Sequence, residues 1–248
     1  MPRKGTEIKM SDFLILMFLF FIGCTLGWVM ELFFRRFTKS NTSRKWMNPG
    51  FLVGPYLPIY GFGLCSLYLL AGLERFDMFD NPVVNKIVLF AMMAVAMTLI
   101  EYIAGVIFIK IMKVKLWDYS NERFNLQGII CLKFSIFWSL LGAVYYFLIH
   151  PYILNALEWF SNHLSFSFVL GMFFGVFMID VVYSFRLLTK IRAFAKEHEI
   201  LIKYETLKQQ IQTYNKKERH KFLFAMRSKK PLREHLSEYI ENLKKTKK

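Results

Sequence analysis

"NPGFLVGPYLPIYGFG", residues 48–63, sets three prolines and four glycines at the mouth of a long apolar run. A helix that crosses a bilayer tolerates an occasional helix breaker, because neighbours re-satisfy the freed backbone groups. Seven breakers in sixteen positions rule out a continuous helix through this stretch. The run beyond it, as far as Leu73, is still apolar enough for lipid. The segment therefore reads as a membrane span that is broken near one face.

The rest of the chain agrees with a membrane setting. Apolar residues make up 55% of the sequence, and phenylalanine alone supplies 27 of 248 positions, in runs that a water-soluble core would not need. Five stretches can span a hydrocarbon core, which takes about 20 residues at ~1.5 Å each. They cover residues 12–34, 51–73, 85–112, 129–149 and 165–187. The expected fold is all-α and polytopic, with five spans and a broken second one. A transmembrane domain would occupy residues 1–189 and a basic helical tail residues 190–248.

Basic residues orient the bundle. Arg35, Arg36, Lys39, Arg44 and Lys45 follow the first span, and Lys110, Lys113, Lys115 and Arg123 surround the third loop. With five from Arg186 to Lys203 they number fourteen, against Arg3, Lys4, Lys9, Arg75 and Lys86 on the other side. The amino end is thus expected outside and the tail in the cytoplasm. "MPRK", an apolar run and "FFIGC" resemble a lipoprotein signal. Phe21 and Ile22 depart from that pattern, however, and the apolar run continues for ten residues past Cys24, so an uncleaved first span is the reading. Cys24, Cys65 and Cys131 lack disulfide or zinc spacing and read as buried small hydrophobes.

From Lys190 onward there are 17 Lys/Arg against seven Asp/Glu. Beside a membrane domain this excess points to anionic lipid headgroups as partners rather than nucleic acid, for which no recognition motif exists. Ile200, Tyr204, Leu207, Ile211 and Tyr214 form one helical stripe, expected to pack on the protein itself. A second helix is expected after Pro231, with Leu232, Leu236, Tyr239 or Ile240, and Leu243 on one face.

Glu31, Glu101 and Asp180 fall inside spans, where a charge needs a partner or a task. By rise per residue all three lie in the half of the membrane where span two is broken. Arg35 is one turn from Glu31, Tyr183 and Ser184 share the face of Asp180, and Lys133 is the expected partner of Glu101. In the third loop Trp117 and Tyr119 read as interface anchors, while Asp118, Asn121 and Asn125 before Gly128 offer turn chemistry.

"GWVMELFFRRFT", "WMNPGFLVGPYLPIYGFG", "EYIAG" and "LWDYSNERFNLQGIICLKFSIFWSLLG" together resemble a bacterial family labelled ABC-transporter permeases of the CmpB type. The resemblance covers roughly residues 12 to 190 and leaves out the basic tail. It implies an integral protein of the bacterial cell membrane with a transport role. Without a Walker A motif of its own, such a chain would need a separate ATPase subunit, docked through the WDYS loop or the tail.

The leading reading is a permease-like protein with a polar site near the cytoplasmic face. The candidate substrate-binding residues are Glu31, Glu101, Asp180, Asn48, Gly54, Pro55, Tyr60, Trp117, Asp118 and Asn125. Neither cofactor nor metal is called for, and a homo-oligomer stays open. Two other classes also stay open. One is a membrane enzyme acting on a lipid or lipid-linked substrate, with Glu31, Glu101 and Asp118 as acid, base or metal ligands; HExxH and GxSxG patterns are absent, which weakens it. The other is a scaffold that recruits a partner through its tail.

Overall fold

A computed structural model of the chain describes residues 11–38, 41, 44–76, 81–214 and 223–246. The "MPRK" run, Lys9, Lys39 and residues 215–222 of the tail lie outside the described residues. Helix α1 (Asp12–Phe37) opens on Ser11, whose side chain accepts from the Leu14 amide, and α3 (Pro82–Val106) opens on Asn81 and Pro82 in the same manner. Such caps satisfy amides that the first helical turn leaves unpaired. A π turn, Ile107–Ile111, extends α3. Helix α4 (Leu132–Val144) continues through a second π turn, Tyr145–Ile149, into α5 (His150–Asn162), and α6 (Ser167–Glu197) comes next.

Among the described residues, four helical stretches are long and apolar enough to cross a membrane: Asp12–Phe37, Pro82–Ile111, Leu132–Asn162 and Leu164–Glu197. The expected second span is the exception. Its helix α2 is only Pro58–Ala71, 14 residues, with a short 3-10 turn Gly72–Arg75 beyond it. At ~1.5 Å per residue α2 reaches about 21 Å, short of a ~30 Å hydrocarbon core. Residues 51–57 complete the path without helical structure. The fourth stretch also differs from its expected limits. Helix begins at Leu132 rather than 129, because residues 125–131 form a hairpin of β2 (Asn125–Leu126) with β3 (Ile130–Cys131), and it runs on to Asn162.

Short α2 is held by an unusually close approach to α1. A Cβ on Gly23 would lie 2.7 Å from the Tyr60 carbonyl oxygen, and one on Gly27 would lie 2.2 Å from the Tyr60 Cβ. Gly23 and Gly27 are four apart on one face, so the two backbones can meet as small-residue stripes do in lipid. The amide of Leu57, the residue before α2, donates to the Cys24 carbonyl at 3.0 Å. That bond fastens the unwound segment to α1.

The far end of the bundle is an aromatic core, in which Phe18 stacks on Phe160 with centroids 4.5 Å apart and Leu89, Met93 and Leu170 are buried. At the other end the loop after α1, the loop after α3 and the tail meet. Strand β1 (Val114–Lys115) pairs in parallel with β4 (Ile202–Lys203). Helix α7 (Tyr204–Tyr214) buries Tyr204, Leu207 and Ile211 against Leu188, Ile191 and Val114, while Tyr214 stays exposed. Helix α8 (Leu232–Thr246) adds Leu236 and Tyr239 to that cluster.

Candidate functional site

Between α1, α2, α3 and α6, on the tail side of the bundle, lies a cavity of about 720 Å³. That is within the ~300–1,000 Å³ range of pockets that take small ligands. Most of its wall is apolar, with Phe20, Phe62, Ile100, Ala104 and Phe177 among the lining side chains. Its polar part comes from two groups of residues.

The first group starts at Glu31 on the last turns of α1. Tyr60 Oη donates to Glu31 Oε2 at 3.0 Å, and Arg35 Nε donates to Oε1 at 2.8 Å. Arg35 then reaches Glu205 of α7 at 2.9 Å. The second group surrounds Glu101, 3% exposed on α3. Tyr119 Oη donates to its Oε1 at 3.0 Å, and Trp138 Nε1 donates to its Oε2 at 2.9 Å. Lys133 is not its partner. That lysine is the second residue of α4, reaches outward and pairs with Glu122 at 3.1 Å. Glu101 is thus held by two neutral donors. Tyr60 and Trp138 join the two groups, with ring centroids 5.3 Å apart.

Asp180 lies beside the cavity and serves the unwound segment. Its carboxylate accepts from the Val53 amide at 2.9 Å, the Gly54 amide at 2.7 Å, Tyr56 Oη at 2.7 Å and Ser184 Oγ at 2.8 Å. Exposed amides within lipid are costly, and one carboxylate satisfies two of them here. Asn48 supports the same segment from inside. Its Nδ2 donates to the Leu52 and Val53 carbonyls, and its Oδ1 accepts from Trp28 Nε1. Pro55, which has no N–H to satisfy, sits exposed between them. Lys208 of α7, 4% exposed, closes the carbonyl side by donating to Asn48 O at 2.6 Å and Gly50 O at 3.1 Å. Burial pushes the pKa of this ammonium below its ordinary value, with Glu205 opposing that shift.

The third loop contributes Trp117 to the cavity wall, its Nε1 donating to the Ile129 carbonyl at 2.8 Å. Asp118 and Asn125 do not line the cavity. Asp118 accepts from Ser120, Lys115 and Lys203, the last at 2.8 Å from the tail. Burial works against the charge, but the Lys203, Ser120 and Lys115 hydrogen bonds hold the carboxyl well below the usual carboxylate range. Asn125 closes the loop through Ser120 O, Glu122 O and the Gly128 amide.

Of the ten candidate residues, Glu31, Tyr60, Glu101 and Trp117 therefore meet at one cavity. Asp180, Asn48 and Gly54 hold the broken backbone beside it, and Asp118 and Asn125 shape the loop. Trp138, Tyr119 and Lys208 carry contacts that sequence spacing did not point to. Among the described residues no group of His, Cys, Asp and Glu is disposed to hold a metal ion.

The family described as "Putative ABC-transporter type IV", the CmpB family, matches residues 18–185. The chain belongs to this family. The match runs from α1 into α6, so the CmpB region contains both carboxylate groups and the broken segment, while α7 and α8 lie beyond it. No curated protein and no solved structure matches the chain. With its apolar helices, this CmpB-family chain is a membrane protein of a transport family.

Proposed function

We propose that the chain is a permease-like transport component whose substrate site is the cavity bearing Glu31 and Glu101, near the cytoplasmic face. The carrying observation is that cavity, which puts two intramembrane carboxylates on a mostly apolar wall beside an unwound span. Broken helices of this kind form substrate sites in transporters, because their backbone must be sheltered or line a cavity. The tail end is read as cytoplasmic from the basic residues of the two loops and α6. A separate ATPase subunit, implied by the family description, would dock at that end, where the third loop, β4 and α7 come together.

Accessibility in oriented vesicles tests this reading. In a background with Cys24, Cys65 and Cys131 replaced, a single cysteine at Ala104, on the cavity wall, should react with a membrane-impermeant maleimide in inside-out vesicles and resist it in right-side-out ones. Reaction from the outer face alone would place the site on the wrong side and sink the proposal.

A further inference from the structure

Only three charged residues line the cavity among those described: Glu31, Arg35 and Glu101. Arg35 is engaged by Glu31 and again by Glu205, so its positive charge is already answered twice. Glu101 has two neutral donors and no cation bonded to it, so in its ionised form it gives the cavity one negative charge in excess. Aromatic rings accompany that carboxylate: Tyr119 and Trp138 bond to it, and Tyr60 packs on Trp138. A carboxylate beside aromatic rings is the chemistry that selects an organic ammonium, through charge and through cation–π attraction.

The remaining wall indicates what the ammonium is attached to. Ile103 on α3, Ile107 in the π turn that extends it and Met178 on α6 line the cavity and are exposed apolar side chains on stretches long enough to cross a membrane. The cavity therefore opens sideways toward the bilayer. A methylene occupies about the volume of a water, ~30 Å³, so the space holds on the order of twenty heavy atoms. That suits one hydrocarbon chain with a small head.

We infer that the cavity binds a single-chain cationic amphiphile, entering from the bilayer between α3 and α6, with its ammonium at Glu101 among Tyr60, Tyr119 and Trp138. This rests on the reading of the cavity as the transport site and adds the chemical class of its ligand. The charge asymmetry carries the choice of a cation over an anion, and the side opening carries the choice of a chain over a water-soluble solute.

The test uses the full chain in phosphatidylglycerol proteoliposomes, which supply no amine headgroup. The probe is an alkyl-trimethylammonium with a diazirine in its chain. Unlabelled alkyl-trimethylammonium, alkyl sulfate and alkyl alcohol of equal length compete at equal mole fraction in the bilayer. Photolabelling should fall on peptides carrying Ile103, Ile107 and Met178, and only the cation should suppress it. Glu101→Gln and Trp138→Leu should each lower labelling at least about tenfold, in protein that elutes as the native chain does. Equal competition by all three chains, or undiminished labelling in both variants, overturns the cationic assignment and leaves a transport site of other specificity. In parallel samples an alkyl sulfate and an alkyl alcohol of equal length carry the same diazirine, and failure of all three probes to label the cavity of folded protein overturns the transport-site reading as well.

Discussion

Glutamine in place of Glu101 can keep both hydrogen bonds, because its carbonyl can accept from Trp138 Nε1 while its amide donates to the Tyr119 hydroxyl oxygen. Only the charge is lost. Glu101→Gln should therefore insert and fold near normally yet abolish transport, whereas Glu31→Gln, beside Arg35, should retain part of it. Full activity in Glu101→Gln with Glu31→Gln inactive would move the site toward the membrane surface. Asp180 differs in kind, since its removal orphans the Val53 and Gly54 amides within the bundle. At ~1–3 kcal/mol for a buried donor left unpaired, Asp180→Ala should cost at least about 2 kcal/mol and lower the thermal midpoint in detergent. An unchanged midpoint would show that those amides have other partners. Asp118 makes a third case, at the clasp between loop and tail. Its folded pKa lies below the unfolded value of ~3.9, so its contribution is fully present above that pH and is lost as pH falls through the lower folded value. Amide exchange in residues 115–120 and 202–204 should thus stay slow from pH 7 down to about pH 4. Acceleration already near pH 5 would mean the clasp is not held by this carboxylate.

Among the elements, α1 and α2 depend on glycine. A side chain at Gly27 meets the Tyr60 ring at once, whereas Gly175 on α6 has open space around it. Gly27→Val should separate the two helices and destabilise by about 1–3 kcal/mol or more, while Gly175→Ala should be neutral; equal thermal midpoints for the two variants would contradict the close packing. Gly23 and Gly27, four apart, were a signal available in the sequence for that interface. The contacts of α7 were less legible. Its apolar stripe was readable, and Tyr204, Leu207 and Ile211 are buried as the spacing implies. Nothing local, however, marks Lys208 among many basic neighbours as the one that turns inward, because its acceptors lie 158 and 160 residues earlier. The assignment of Lys133 to Glu101 failed for a related reason. A neutral partner such as Trp138 carries no charge to advertise the pairing, and Lys133, the basic residue of the expected fourth span, drew the expectation instead.

For the whole molecule, the traverses of the bundle put the N-terminal end of α1 opposite the tail, even though α2 is too short to cross alone as a helix. The breakers in residues 48–63 made that interruption readable, since proline and glycine act on the backbone locally. The π turns and the run of α4 into α5 were not, because apolar sequence alone does not say where a helix leaves the membrane. Single cysteines at Asn155 on α5 and Asn121 in the third loop, both exposed, should label from outside and inside respectively; the reverse would invert the orientation. The most direct measurement is a density map of the full chain in a lipid nanodisc. A transport cavity open to the bilayer predicts elongated density between α3 and α6, with one end within hydrogen-bonding distance of Glu101. A map in which those helices close over Glu101, leaving no space beside the broken segment, would contradict it.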